Sequence, residues 1–230
     1  MFRWLRMGTQ VKICIIGDEH AEDLKAAWND CQWITEKYSA TYILAGTMLG
    51  VNTGFDNIEV EDFDVFLLVG FSRRVEDLVH TFAYPGVSSQ IRSLAVRDYW
   101  RETLLPRVTE RILEAYGAPI FLMHDPMRAL RKPDPAPIGA YSDMIGASQV
   151  QVFDDLSATL LRQPNFTLNG GMSTQVKYRV KGTKQVGDGA DGVFKRQKAR
   201  MNSAFWLAML EALMEEIRQI RIERPRSKYA

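Results

Sequence analysis

The sequence predicts an α/β fold, a three-layer α/β/α sandwich built on a five-stranded parallel sheet. Three observations lead there. Short apolar runs rich in β-formers alternate with longer stretches of helical periodicity, the signature of strands covered on both faces. The last long helical pattern repeats Phe205, Trp206, Met209, Leu210, Leu213, Met214, Ile217 and Ile220 with Glu and Arg between them, an apolar stripe made to lie on a sheet. A chain of 230 residues, 46% hydrophobic and 25% charged, is long enough to bury one good core. A single domain over residues 1–230 is therefore expected, with 223–230 a flexible tail.

In chain order, the strands are read at Val11–Ile16, Thr41–Leu44, Asp64–Val69, Pro119–Met123 and Thr159–Arg162. Right-handed crossovers favour the order 2-1-3-4-5 for such a set. Helices fill the gaps. One is expected over 20–35 and a long one over 87–116, broken or kinked near Pro106; a short third spans about 147–155, and the last occupies 205–220. "PGVSSQ" reads as a helix N-cap at Ser88 or Ser89. Residues 125–148 are rich in Pro and turn formers, so they predict a long surface loop. Residues 165–202 are polar and glycine-rich, with at most a short hairpin near Gln175–Val180. The closing "RIERPRSKYA" reads as a frayed, solvated end.

Charge narrows the partners. Lys+Arg 29 against Asp+Glu 28 gives a formal net charge of +1, so no global field draws the chain to nucleic acid or an anionic membrane. No apolar run reaches the ~18 residues of a spanning helix, and "MFRWLRMG" is too short and polar for the apolar region of a signal peptide. A cytoplasmic protein is expected. The two cysteines agree: Cys14 falls in the first strand and Cys31 in the following helix, without C-x-x-C or metal-ligand spacing, so both read as reduced and buried. No cofactor or metal site is indicated.

In an open parallel sheet, ligands bind outside the carboxyl ends of the strands. That rule collects Asp18, Glu19 and His20 after the first strand, Gly46 after the second and Gly70 to Arg73, with Ser72, after the third. It adds His124 and Asp125 after the fourth strand and Gln163 after the fifth. Each has a plain structural reading. Asp18 or Glu19 can cap the helix that follows, worth ~0.3–1 kcal/mol, and His124 can satisfy loop carbonyls. There is no G-x-x-x-x-G-K-[ST], no G-x-G-x-x-G after a strand, no H-E-x-x-H and no G-x-S-x-G. "GDGADG" lacks the later ligands of a calcium loop and reads as a turn. "KRQKAR", residues 195–200, reads as a solvated basic face.

Taken together, these short motifs resemble the SGNH (GDSL-type) hydrolases, over most of the chain. That family opens with a strand ending in Gly-Asp-Ser, or Gly-Asp-Ser-His in one bacterial branch. "IIGDEH" matches with Gly17, Asp18 and His20 and places Glu19 where the nucleophilic serine belongs. Gly46 in "ILAGTMLG" is similar to the glycine that donates to the oxyanion hole. "DVFLLVGFS" resembles the third strand, with Gly70 present and no asparagine after it. "LLRQPNFTLNGGMSTQVKY" resembles the fifth strand and its continuation, and "QKARMNSAFW" the entry to the final helix, where the family carries D-x-x-H. Here those two positions read Gln197 and Arg200.

The resemblance implies a flavodoxin-like SGNH fold without the standard triad. Acyl transfer needs a nucleophile, a base and a group that orients the base, and Glu19, Arg200 and Gln197 replace all three. An acid and a base of opposite sign at neighbouring positions lead us to expect a Glu19–Arg200 salt bridge plugging the cleft. The expected function is a pseudoenzyme: a binding or scaffold module for a carbohydrate-like or acylated ligand or a protein partner, with Glu19, Gly46, Gly70, Ser72, Arg73 and Arg200 at the site. The alternative is an ester, glycoside or acyl-sugar hydrolase or transferase with a relocated mechanism, using Asp18, Glu19, His20 or His124. A rescued esterase using Ser72, Ser88 or Ser89 is a variant of it, and a purely structural subunit is a third reading.

Overall fold

The computed structural model describes residues 10–44, 63–71, 75–103, 105–181 and 200–220. Its centre is a parallel sheet of five strands in the order β2-β1-β3-β4-β6. These are β1 (Val11–Gly17), β2 (Tyr38–Leu44), β3 (Val65–Val69), β4 (Ile120–Met123) and β6 (Ala158–Leu161). The last of them is the strand read fifth in the sequence. It becomes sixth because a two-residue strand, β5 (Ala129–Leu130), precedes it.

The sheet divides the core by strand parity. Cys14, Ile16, Phe66, Leu68, Ile120, Leu122 and Leu160 face one side, and Ile13, Ile15, Val65, Leu67, Phe121, Met123 and Leu161 face the other. Side chains alternate along a strand, so a strand buried on both faces must be apolar at every position. β3, "VFLLV", is buried throughout. The first side is covered by α3 (Val75–Ala83), α4 (Ser89–Arg101), α5 (Leu105–Tyr116) and α6 (Ile138–Ser148). The second is covered by α1 (Glu19–Asn29), α2 (Gln32–Lys37) and α7 (Ser203–Gln219), whose Phe205, Trp206, Met209, Leu210, Leu213, Met214 and Ile217 are all buried.

Several elements depart from the sequence reading. The helix expected over 20–35 is two helices, because Cys31 takes an extended backbone (φ −111°, ψ 94°) between them. The long pattern over 87–116, by contrast, is broken near Pro106 as expected, into α4 and α5, and Pro106 sits in the first turn of α5, where its missing N–H costs nothing. Ser88 caps α4, accepting from the Ile91 amide at 3.3 Å. α3 was not anticipated. α6 occupies the second half of the segment read as a loop and buries Ala140, Tyr141, Met144, Ile145 and Ser148. A π-helical turn, Gln149–Phe153, continues it; this is where the short helix over 147–155 was expected.

In place of a hairpin near Gln175–Val180, β7 (Thr174–Gln175) pairs in parallel with β5, and a 3₁₀ turn, Val176–Tyr178, follows. Asn169 fastens this small sheet, donating through Nδ2 to the carbonyls of Leu130 and Lys132 at 2.7 and 3.0 Å. Gly170 (φ +82°) lies where a Cβ would collide with the Asp134 backbone, so the turn "NGG" sets the close approach of the two loops. Cys14 and Cys31 are free and buried, and burial pushes the Cys14 thiol up to about 12.

Candidate functional site

Four strand ends meet at one edge of the molecule. β1 closes on Gly17, where a Cβ would collide with the Val69 carbonyl of neighbouring β3, so only glycine permits that spacing. Asp18 follows as the N-cap of α1; its Oδ1 accepts from the His20 amide at 2.9 Å. The Asp18 carboxylate lies against Gly70 at the end of β3, occupying the space a Cβ on residue 70 would need. Gly70 also has φ +83°, a conformation that costs a side-chain-bearing residue ~1–2 kcal/mol.

Glu19, the first residue of α1, is exposed, and His20 is buried with its ring 5.6 Å from that of Trp206 on α7. The expected Glu19–Arg200 ion pair does not form. Arg200 instead donates through Nη2 to Asp23 Oδ1 at 2.5 Å and through Nε to Oδ2 at 3.4 Å. Asp23 is one helical turn beyond Glu19 on the same face of α1, and the chain entering α7 passes over that turn. The hydrogen bond and charge of Asp23 raise the Arg200 pKa, with smaller attractions from Glu19 and Glu22.

The end of β4 carries a closed hydrogen-bond chain. The Gln163 amide donates to Tyr141 Oη at 2.7 Å, and Tyr141 Oη lies 2.7 Å from His124 Nε2. His124 Nδ1 lies 2.7 Å from the Asp125 carbonyl. The carbonyl can only accept, so Nδ1 bears the proton; Nε2 then accepts from the Tyr141 hydroxyl, whose oxygen accepts from Gln163. Every position is used by a neutral imidazole. Burial agrees, lowering the His124 pKa to about 4, and it raises that of Tyr141. A proton-transfer role for His124 requires the Tyr141 bond to open.

The Gln163 side chain is fully buried, and its orientation is forced. Nε2 contacts Thr167 Oγ1 and Thr174 Oγ1 at 2.9 and 3.0 Å, while those hydroxyls donate to the Pro164 and Met127 carbonyls. With their protons spent, both hydroxyls must accept, so the amide nitrogen faces them.

Glu76, in the first turn of α3, was missed by the sequence reading. Its Oε1 accepts from the Arg128 amide at 2.6 Å, tying α3 to the segment after β4. Burial raises the Glu76 pKa, against the hydrogen bond and charge of Arg128. Tyr141 was missed as well, because it lay in the presumed loop. The signal for Glu76 was present: Val75, Leu78, Val79 and Phe82 recur at helical spacing.

The structure thus brings Asp18 and Gly70 into contact and places His124 and Gln163 in one network through Tyr141. Gly46, Ser72, Arg73 and Gln197 lie outside the described residues. Among the described residues, two cavities stand out elsewhere. One of about 330 Å³ is at the opposite, amino ends of β4 and β6, lined by Ala118, Ile120, Ser157 and Thr159 among others. The other, about 390 Å³, is an open groove between α3 and α4 lined by His80, Tyr84 and Ile91. Among the described residues no cluster of His, Cys, Asp or Glu is arranged to hold a metal ion, and no helix is long and apolar enough to cross a membrane. No protein-family model matches the chain, and no curated protein matches it.

Proposed function

We propose that the chain is a non-hydrolytic binding or scaffold module on an SGNH hydrolase-like framework, receiving a carbohydrate-like or acylated ligand, or a protein partner, at the carboxyl ends of its strands. The sheet order and the placement of Gly17, Asp18 and Gly70 at adjacent strand ends support the framework. The observation that carries the loss of hydrolysis is the state of His124, whose ring nitrogens are both engaged in a neutral, closed network. Three further ionisable groups are committed to structure, Asp18 to the α1 cap, Arg200 to Asp23, and Glu76 to the Arg128 amide, while Glu19 is exposed. General acid–base catalysis needs a group free to exchange a proton with substrate.

The test pairs turnover with binding. Hydrolysis of p-nitrophenyl acetate and of O-acetylated sugars should stay at background, while calorimetric titration with the same sugars should detect saturable binding. Turnover abolished by Ser72→Ala, Ser88→Ala, Ser89→Ala or His124→Gln would overturn the proposal and establish a relocated mechanism. If turnover and sugar binding are both absent, the protein-partner form of the proposal remains, and affinity capture followed by a direct titration of the purified partner tests it.

A further inference from the structure

β6 ends the five-stranded sheet, so one side of it pairs with β4 and, among the described residues, no strand lies beside the other. An edge of this kind presents unpaired N–H and C=O groups that can template another strand. Here one such carbonyl and one such amide are taken by one side chain. Gln149 Nε2 donates to the Ala158 carbonyl at 2.7 Å, and its Oε1 accepts from the Leu160 amide at 2.8 Å. These are the carbonyl before, and the amide after, Thr159. A neighbouring parallel strand bonds that same couple, so the carboxamide imitates one rung of a ladder.

Its orientation is fixed by a third bond. The other Nε2 proton goes to Asp154 Oδ1 at 2.8 Å, so both amide protons and the oxygen are used. The backbone makes this possible: Gln149 opens the π-helical turn at the end of α6, and its carbonyl accepts from the Asp154 amide five residues on, at 2.8 Å. The widened turn sets residue 149 beside the strand edge. Local π turns of this kind recur where a helix serves a particular role.

The couple is also self-complementary. Two β6 edges placed antiparallel about Thr159 would form Leu160 N–H to Ala158 C=O bonds in both directions, a closed two-fold contact. We propose that the Gln149 carboxamide is an edge plug, occupying the donor–acceptor couple about Thr159 through which β6 would pair with β6 of a second copy.

Amide hydrogen exchange and sedimentation velocity on the whole chain test this. In the unsubstituted protein the Leu160 amide should be protected like the interior amide of Leu122, although it lies on an edge. In Gln149→Ala and Gln149→Leu, monomer at low concentration should exchange the Leu160 amide about tenfold faster or more, the loss of one hydrogen bond, with Leu122 protection kept. Both variants should also associate at concentrations where the unsubstituted chain does not. Rapid Leu160 exchange in the unsubstituted protein overturns the proposal without any variant having to fold. Unchanged Leu160 protection, or no gain in association, in variants that keep Leu122 protected also overturns it.

Discussion

Arg200, just before α7, grips Asp23 in the second turn of α1 through two nitrogens, with Nη2 2.5 Å from Oδ1 and Nε 3.4 Å from Oδ2. The fork joins two helices that also share the core on one face of the sheet. Its strength is limited by solvent, since the Arg200 side chain is 58% exposed and that of Asp23 12%. We expect Arg200→Ala or Asp23→Asn to cost under ~1 kcal/mol. A double-mutant cycle in urea should give a measurable Arg200–Asp23 coupling and a smaller Arg200–Glu19 coupling. A larger value for Glu19 would show that the two carboxylates exchange roles in solution.

The His124 network makes a prediction about pH. An unfolded histidine titrates near its ordinary value, 6.5 here, while the folded one is lowered to about 4. Between those values the unfolded chain binds the extra proton, so this residue's contribution is complete above pH 6.5 and is lost as pH falls toward 4. The linkage is on the order of 3 kcal/mol across that window. The difference in stability between His124→Gln and the unsubstituted chain should therefore shrink as pH falls from 6.5 to 4. Tyr141→Phe leaves His124 Nε2 and the Gln163 amide unsatisfied together and should cost roughly 2 kcal/mol at neutral pH.

How much of this was legible in the sequence depends on how local each feature is. The central strands were, because burial on both faces writes an unbroken apolar run, as in Val65–Val69. The Asp18 cap and the α7 stripe were legible for the same local reason. The choice between Glu19 and Asp23 was not: both are on one face of α1, and only the path of the chain over that face decides. The break between α1 and α2 has no Gly or Pro to announce it, and α6 was hidden by the Pro-rich segment leading into it. Two-residue strands such as β5 and β7 have no period to detect. Tyr141 joins His124 and Gln163 from positions 17 and 22 residues away, a relation with no fixed spacing.

Glu76 should respond to pH in the opposite sense. Burial raises its folded pKa above the ordinary value of 4.5, so the folded chain holds the proton more tightly. Its contribution is fully favourable below 4.5 and is lost as pH rises through the folded value. Glu76→Gln keeps an oxygen to accept from the Arg128 amide and removes the buried charge. We expect the stability of this variant, relative to the unsubstituted chain, to increase from pH 4.5 upward and then level off. A constant difference across that range in chemical denaturation would mean the carboxylate is not desolvated in solution.

The contact between Asp18 and Gly70 gives the sharpest coupling at the strand ends. Gly70→Ala combines a backbone at φ +83° with a methyl group placed where the Asp18 carboxylate lies, so we expect a loss of ~1–3 kcal/mol. Asp18→Ala loses the bond to the His20 amide and should cost ~1 kcal/mol, the usual worth of an N-cap. The two losses should not add. Once residue 18 is alanine, the added methyl group at residue 70 no longer meets a carboxylate, and only the backbone strain remains. Thermal denaturation of the double variant should therefore show a loss smaller than the sum of the singles. Strict additivity would mean that the carboxylate moves aside at no cost, and that Gly70 is required by its backbone angle alone.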